Sequence, residues 1–411
     1  MMARDTRPDP DHRAKHWFLG EGESSPVMDA PCKARPLAAV MITVKFFVQV
    51  LVLSGVLMGN AWAVEVLALP DQAIQPRAMT GRDGALRLIY YRGAASGGDL
   101  FYRSQPDAPP LRINGETQSA VSMGTIRGAQ AVLGKADRVH VVWNGPRHLE
   151  KKDERPPMFY CRLSDDGKSF EAQRPVSGNW ILDGGGAVAA DHAGHVYVFW
   201  HGGNGTGEGG RRIYMRSSND DGKTFDEERA ISPEGTGVCG CCAMQALATE
   251  DGGVFVLYRT ASDGGKNRDI MLLASHDGGK SFTHRLLDPW PINACPMTSM
   301  SLASTPRGVV GAWETQGKIR VGFVEKGAPL ALAAGGPQPS NHPTLAVAPD
   351  GRVLVAWSEG AGWQKTGGLA WQILDATLAP VSVTSRGKPG EVPVWSFPCA
   401  VAKGTDFEIW R

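Results

Sequence analysis

The sequence has 411 residues, and its 43 Lys and Arg nearly balance its 42 Asp and Glu, for a formal net charge of +1. That balance argues against a partner such as duplex nucleic acid, whose binding proteins carry a basic excess. Hydrophobic residues make up 42% of the chain and glycine occupies 51 positions. This composition excludes a disordered chain and predicts many tight turns between short strands.

The N-terminal region has the features of an export signal. Lys45 precedes a mostly apolar run over 46–58, and Ala61-Trp62-Ala63 ends in an A-x-A pattern. A basic residue, a short apolar run and small residues at the end predict a signal peptide cleaved after Ala63. The run is shorter than the ~20 residues of a spanning helix, so no stable membrane span is expected. An uncleaved anchor over 37–58 is the alternative, and it would bury Lys45 in the membrane.

The first 40 residues do not fit a normal signal peptide. Residues 1–40 are largely polar and rich in proline, and they end just before Met41. Either the start codon is misassigned and the signal peptide is 41–63, or the leader is unusually long. The mature chain is then 64–411, which we expect to be a single domain in the periplasm or outside the cell.

One unit repeats along the mature chain. Each unit has a β-branched run that ends in an aromatic residue and follows a tight turn such as Arg82-Asp83-Gly84 or Pro349-Asp350-Gly351. The aromatic ends recur roughly every fifty residues, which is the period of one four-stranded propeller blade. The predicted second strands are 86–91, 139–143, 196–200, 254–258, 309–313 and 353–357.

A second pattern recurs later in three of the units. Residues 218–225 read S-x-D-x-G-x-T-F, residues 275–282 read S-x-D-x-G-x-S-F, and residues 164–170 keep the same frame. The Asp carboxylate is expected to accept N–H groups of its own turn, with glycine in the left-handed position. These segments resemble the Asp box, or BNR repeat, of the sialidase-like β-propeller superfamily. The resemblance covers 64–411 and implies an all-β propeller of four-stranded antiparallel blades, with structural roles for the three turns.

The number of blades has two readings. The resemblance implies six blades. Six complete units are visible, but a further strand pair follows at 399–402 and 407–410, and a lone strand is predicted at 64–69. These pieces either complete a six-bladed ring or form a seventh blade, because ring closure removes exposed strand edges.

The resemblance to sialidases also implies a mechanism, which this sequence only partly fits. Members of that superfamily bind a carboxylate with three arginines and use a tyrosine nucleophile from a late blade. No tyrosine follows Tyr258, and the nearest match to the early F/Y-R-I-P segment is 75–78. Ordinary sialidase catalysis is therefore not expected to carry over.

A polar ring is predicted where the second strands end. Arginine side chains suit carboxylates and sulfates through paired hydrogen bonds, and a glutamate of raised pKa can serve as an acid or base. Alternatively, Arg–Glu pairs hold neighbouring blades together. The candidate ligand-binding residues are Arg77, Arg92, Asn144, His201, Arg259 and Arg268, and the candidate catalytic residues are Glu314 and Glu359. The glycine-rich segment 202–210 is predicted to be a flexible connection near this ring.

Six cysteines remain in the mature chain. Cys161 is expected to be packed within a third strand, whereas the others precede first strands. An even number in an exported chain favours disulfides, for example from Cys239, Cys241 or Cys242 to Cys295. The same cysteines with His342 would suit a soft metal, copper or zinc, although the C-x-C-C spacing is not a standard zinc pattern and no cofactor is favoured.

Two functions follow from these features. The first is an exported propeller, related to sialidases, that binds or acts on glycans or acidic sugars. The alternative is a non-enzymatic binding or assembly-factor propeller in the periplasm, with the cysteine-rich face as its metal or protein contact. The enzyme would need an acid and a nucleophile or activated water in one pocket, whereas the binding protein needs only the ring and its loops.

Overall fold

The structure is a computed structural model that describes residues 62–123, 128–146, 157–178, 185–203, 207–327, 331–332 and 338–411. The predicted leader over 1–40 and nearly all of the predicted signal peptide over 41–63 lie outside the described residues. Residues 62–411 fall within one compact unit. No helix in the part that the structure describes has the length and apolar character needed to cross a membrane.

The fold is all-β and repeats one antiparallel sheet. The chain opens with strand β1, and six four-stranded sheets, blades 1 to 6, follow in sequence order. The first three blades and the strand before them are β1 (Val64–Leu67); β2 (Ile74–Thr80), β3 (Leu86–Ala94), β4 (Gly97–Arg103) and β5 (Leu111–Arg112); β6 (Gln130–Leu133), β7 (Val139–Asn144), β8 (Met158–Arg162) and β9 (Arg174–Pro175); β10 (Ala187–Ala190), β11 (Val196–Gly202), β12 (Arg212–Ser218) and β13 (Arg229–Ala230).

Blades 4 to 6 repeat the same order, and a short sheet ends the chain. Their strands are β14 (Gln245–Ala248), β15 (Val254–Arg259), β16 (Ile270–Ser275) and β17 (Thr283–Asp288); β18 (Met300–Thr305), β19 (Gly308–Thr315), β20 (Lys318–Phe323) and β21 (Ala331–Leu332); β22 (Ser340–Val347), β23 (Val353–Glu359), β24 (Gly368–Leu374) and β25 (Ser385–Arg386); β26 (Cys399–Lys403) and β27 (Asp406–Trp410). In the described residues, short 3-10 helices connect strands at Pro70–Gln72, Lys135–Asp137, Glu208–Gly210 and Asp263–Gly265.

The terminal strands form a seventh blade. β26 and β27 make an antiparallel hairpin, and β1 pairs in parallel with β27, with Val64 opposite Phe407 and Leu67 opposite Trp410. β26 also contacts the first strands of both neighbouring blades, β22 and β2. The six-bladed expectation is therefore wrong, and the alternative of seven blades is the one found. The reason is that the terminal pieces pair with each other instead of extending an existing sheet.

The seven first strands line the centre of the ring. Each of them, from β2 through β26, contacts the first strand of the next blade, and β26 contacts β2. We call the end of the ring where the first strands begin and the second strands end the upper face. The three aspartate-containing turns join third and fourth strands and so lie at the opposite end.

The core consists of seven apolar clusters, each between two neighbouring blades. Trp143, Trp200, Trp313 and Trp357, which end four of the predicted second strands, are at most 1% exposed. They pack against strands of the adjacent blade, as Trp357 of blade 6 does against β19 and β20 of blade 5. Large side chains at the ends of the second strands therefore fix the spacing between blades.

The aspartate-containing turns have the predicted geometry. Asp220 accepts the N–H of Thr224 at 2.9 Å and the hydroxyl of Ser218 at 2.7 Å, and Gly222 adopts a φ of 78°. Backbone and side-chain hydrogen bonds from Thr224 lower the pKa of Asp220 to about 2. The final aromatic of this turn, Phe225, packs edge-on against Tyr160 of the preceding blade.

Candidate functional site

Arg259 and Glu314, both predicted for the polar ring, form a buried pair. Arg259 is 1% exposed and Glu314 is 2% exposed. The Arg259 guanidinium donates to the carbonyl oxygens of Arg268 at 2.6 Å and Glu314 at 2.5 Å, and its Nη2 lies 3.8 Å from Glu314 Oε2. Burial raises the pKa of Glu314, and the charge of Arg259 opposes that shift. The pair links blade 4 to blade 5.

Arg268 is held by an acid that the sequence patterns did not single out. Its Nη2 lies 2.7 Å from Glu208 Oε2, and its Nε donates to the carbonyl of Ala294 at 3.1 Å. Glu208 also accepts the N–H of Gly240 at 2.6 Å and lies 3.4 Å from Arg211. The segment predicted to be a flexible connection thus supplies a structural carboxylate. The one available signal was that Glu208 is the only acid in the glycine-rich stretch.

Two further candidates are paired at the rim of the upper face. Arg92 is 41% exposed in its side chain and lies 3.4 Å from Asp71. Glu359 accepts from Arg386 at 2.9 Å and from the Trp357 indole at 3.3 Å. Glu314 and Glu359 therefore each lie against an arginine of the chain itself.

Arg77 is different, because it has no carboxylate partner among the described residues. Its Nε donates to the carbonyl of Ala129 at 3.0 Å, just before β6, and its guanidinium lies 4.5 Å from the centre of the Phe397 ring, just before β26. These contacts place the charge between the first strands of blades 1, 2 and 7, at the centre of the ring. The terminal nitrogens of Arg77 have no hydrogen-bond or ion-pair partner in the part of the chain that the structure describes.

The groups nearest to Arg77 do not neutralise it. Burial, with the charge of Arg77 as a second cause, lowers the pKa of His342 to about 4, so its imidazole is neutral at neutral pH. Burial also raises the pKa of the Cys399 thiol, which therefore stays protonated. His342 Nδ1 lies 3.1 Å from the Ser299 hydroxyl and is not part of the cysteine cluster described below.

The two remaining predicted ligand residues are buried at strand ends. Asn144 is the last residue of β7. His201 lies in β11 and is 2% exposed, and neither of its ring nitrogens has a hydrogen-bond partner among the described residues. Burial lowers the pKa of His201 to about 3, so this side chain is neutral and cannot act as a titrating base near neutral pH.

The cysteines before blades 4 and 5 lie close together. Cys241 and Cys295 form a disulfide, which confirms one of the three expected pairings. Cys239 and Cys242 remain thiols, and the sulfur atoms of Cys239, Cys241 and Cys242 all lie within 4.8 Å of one another. A hydrogen bond from Cys242 and then the backbone of Cys241 lower the pKa of Cys239 to about 7, whereas burial raises the pKa of Cys242.

The other two cysteines lie apart from this cluster. Cys161 is 1% exposed within β8, the third strand of blade 2, and packs in the core as predicted. Cys399 lies at the start of β26, where its sulfur accepts the N–H of Ala78 at 3.2 Å.

A cleft of about 540 Å³ opens between blades 1 and 2 at the upper face. Its wall includes the Phe159 ring, the carboxylates of Asp99 and Glu116, and the backbone of Gly97 and Gly98. Asp99 accepts the amide of Asn114 at 2.7 Å and the N–H of Gln118 at 2.8 Å. Because Asp99 and Glu116 line the cleft, their carboxylates disfavour an anionic ligand there.

Three of the buried tyrosines have raised pKa values, which an activated nucleophile would not have. Burial raises the pKa of Tyr91, Tyr197 and Tyr258 to about 12. A nucleophilic side chain needs a lowered pKa or an adjacent base. The Tyr258 hydroxyl instead lies 3.2 Å from the hydroxyl of Thr236.

No protein-family model matches the chain, and no curated protein is significantly similar to it in sequence. Among solved structures, it is similar to the Hadza microbial sialidase Hz136, with 12% identity and a TM-score of 0.47 over 77% of this chain and 74% of that one. A Penicillium chrysogenum α-L-arabinanase complexed with arabinobiose has 12% identity and a TM-score of 0.49, over 74% of this chain and 93% of that one.

The NanB sialidase from Streptococcus pneumoniae has 9% identity and a TM-score of 0.47, over 78% of this chain and 69% of that one. All three matches have TM-scores below 0.5. The resemblance is one of fold, and no residue of this chain takes a role from it.

Proposed function

We propose that this chain is an exported propeller that binds acidic glycans at the centre of its upper face. The observation that carries the proposal is the unpaired guanidinium of Arg77. Arg77 is half-buried, and a partly desolvated charge is stabilised by a counterion or by hydrogen bonds. Arg92, Arg259, Arg268 and Arg386 each have a carboxylate nearby, whereas Arg77 has none among the described residues.

An acidic sugar supplies what Arg77 lacks. A guanidinium presents a fork of N–H donors that matches the two oxygens of a carboxylate. Since the Nε of Arg77 is already bound to Ala129, the terminal nitrogens are the donors left for a ligand. Neutral His342 and protonated Cys399 beside it leave the positive charge intact at neutral pH. The carboxylate of a sialic or uronic acid matches this site by charge.

Binding without cleavage is the form of this function that the side chains support. Most glycosidases use two carboxyl groups on either side of the scissile bond, and sialidases use a tyrosine nucleophile in place of one of them. Glu314 is buried against Arg259, and Glu359 is held by Arg386. Neither carboxylate is free to act as an acid or nucleophile in this arrangement. We therefore expect no release of product from a fluorogenic sialoside.

The proposal is tested by calorimetric titration of the protein with sialyllactose and with lactose. Sialyllactose should bind and lactose should bind far more weakly. Arg77→Gln should weaken sialyllactose binding roughly ten- to hundred-fold, since a hydrogen bond to a charged group contributes about 1.5–3 kcal/mol. Arg82→Gln is the matched control, because Arg82 is an exposed arginine in the turn at the opposite end of blade 1.

Two results would contradict the proposal. The first is equal affinity of Arg77→Gln and the native protein for sialyllactose. The second is binding of lactose with the same affinity as sialyllactose, especially if Phe159→Ala abolished it. That outcome would place the sugar in the cleft between blades 1 and 2 instead.

Export is part of the same proposal and has its own test. The apolar run before Ala63 and the Cys241–Cys295 disulfide both favour an oxidising compartment. The protein recovered from outside the cytoplasm should begin at Val64 when its N-terminus is sequenced. A protein that retained residues 41–63 would show that the segment is not a cleaved signal.

A further inference from the structure

Two thiols lie directly beside the disulfide on the upper face. Cys239 Sγ is 3.5 Å from Cys241 Sγ, which is close to van der Waals contact between sulfur atoms. Gly240 and Cys241 separate Cys239 from Cys242 in the chain, so the two thiols have the C-x-x-C spacing. The two thiols and the disulfide therefore belong to one cluster of four sulfur atoms.

The four cysteines of the cluster differ in their exposure to solvent. Cys239 and Cys242 are buried, Cys241 is half-buried and Cys295 is exposed. The N–H of Cys239 donates to the carbonyl of Arg259 at 2.9 Å, which fixes the position of its backbone. Cys295 is therefore the more exposed half of the disulfide.

The surrounding charges favour a thiolate at Cys239. The Cys242 thiol and the Arg268 guanidinium both act on this sulfur, whereas the Glu208 carboxylate opposes them. Glu208 is itself bound to Arg268 and to the N–H of Gly240, which limits its effect. A thiolate beside a guanidinium and a second thiol is the usual setting of a reactive cysteine.

We propose that Cys239, Cys242 and the Cys241–Cys295 disulfide form a thiol–disulfide exchange centre, in which the buried dithiol supplies two electrons for reduction of an external protein disulfide at the exposed Cys295 end. The proposal is carried by the contact between Cys239 and Cys241, the C-x-x-C spacing and the exposed position of Cys295. It does not depend on the glycan-binding proposal, since Arg77 takes no part in it.

The exchange inside the protein needs no outside reagent. The Cys239 thiolate attacks Cys241, the bond between their sulfurs forms, and Cys295 leaves with the electron pair of the broken bond. Cys242 gives its proton to Cys295 and attacks Cys239, so that a Cys239–Cys242 disulfide forms and Cys241 leaves as a thiolate. The result is an oxidised buried pair and a reduced pair of Cys241 and Cys295.

The external steps also balance. The reduced pair of Cys241 and Cys295 attacks the external disulfide, takes up one proton from water, and is oxidised back to a disulfide while two external thiols are released. The centre then holds two disulfides. An external dithiol reduces the Cys241–Cys295 disulfide at Cys295 and is itself oxidised to a disulfide. The internal exchange then runs in reverse, so that Cys241 and Cys295 are reoxidised and Cys239 and Cys242 are reduced, which restores the arrangement in the structure.

The first test maps the thiols of the full chain. The native protein is treated with iodoacetamide without reductant, and the labelled cysteines are identified by peptide mass spectrometry. We expect label at Cys295 and a Cys239–Cys242 disulfide in a growing fraction of molecules. In Cys239→Ser, Cys295 should be labelled at least about ten-fold more slowly, because that variant lacks the attacking sulfur. Cys161→Ala is the control, since that thiol is packed elsewhere in the core.

The second test measures the catalysed reduction of a disulfide. It compares several variants, so that a folding defect in one of them does not decide whether the proposal holds. Oxidised glutathione is the probe disulfide and dithiothreitol the reductant. The native protein and Cys161→Ala should accelerate glutathione reduction, and Cys239→Ser and Cys242→Ser should not. The proposal is overturned if Cys295 stays unlabelled in the native protein, or if Cys239→Ser reacts at the native rate. Stoichiometric zinc or copper on the three clustered sulfurs, found by elemental analysis with the disulfide absent, would equally overturn it.

Discussion

Replacement of Arg259 with methionine is expected to lower the free energy of unfolding by about 3–5 kcal/mol. The substitution leaves the buried Glu314 carboxylate without a counterion, and it removes the donors to the carbonyl oxygens of Arg268 and Glu314. Urea denaturation followed by fluorescence measures the loss. Arg92→Met is the control, because its exposed pair with Asp71 should contribute at most about 1 kcal/mol.

A second substitution and the dependence on pH test whether the uncompensated Glu314 charge causes that loss of stability. Arg259→Met/Glu314→Gln should be more stable than Arg259→Met alone, since the amide carries no charge and can still accept the N–H of Gly317. Without Arg259 the pKa of Glu314 rises further above its unfolded value, so the folded state binds the proton more tightly. Stability of the single variant should then fall as pH rises above about 4.5, the ordinary pKa of glutamate. A loss that did not vary with pH would contradict this account.

Removal of the disulfide is expected to have a similar effect. Cys241 and Cys295 are 54 residues apart, and closing a loop of that length constrains the unfolded chain by about 4 kcal/mol in the chain-entropy treatment. Cys241→Ser/Cys295→Ser should therefore unfold at a clearly lower urea concentration than the native protein. Full reduction of the native protein should reproduce the loss. Identical unfolding midpoints for the variant and the native protein would show that the crosslink does not stabilise the fold.

The repeat and its turns could be predicted from the sequence because they depend on contacts between residues that are close in the chain. An aromatic end such as Trp143 and an aspartate such as Asp220 act within their own blade or on the next one. The number of blades could not be predicted in this way. It depends on the parallel pairing of Val64 with Phe407, whose positions in the chain are far apart, and no spacing pattern encodes that choice.

The sequence also did not predict which arginines form ion pairs within the protein. Arg259 and Arg77 are both basic residues near the upper ends of strands, yet one faces a buried glutamate and the other faces neutral groups. The acid that binds Arg268 comes from a glycine-rich stretch of another blade. Contacts between blades decide which arginine lacks a carboxylate partner. The sequence of each strand could therefore predict the candidate arginines but not their partners.

The central claim is that Arg77 binds the carboxylate of an acidic sugar at the centre of the ring. A crystal structure of the protein grown with sialyllactose tests it most directly. We predict the sugar between blades 1, 2 and 7, with its carboxylate within about 3 Å of the terminal nitrogens of Arg77. Sugar bound against Phe159 in the cleft between blades 1 and 2, with none at Arg77, would contradict the claim.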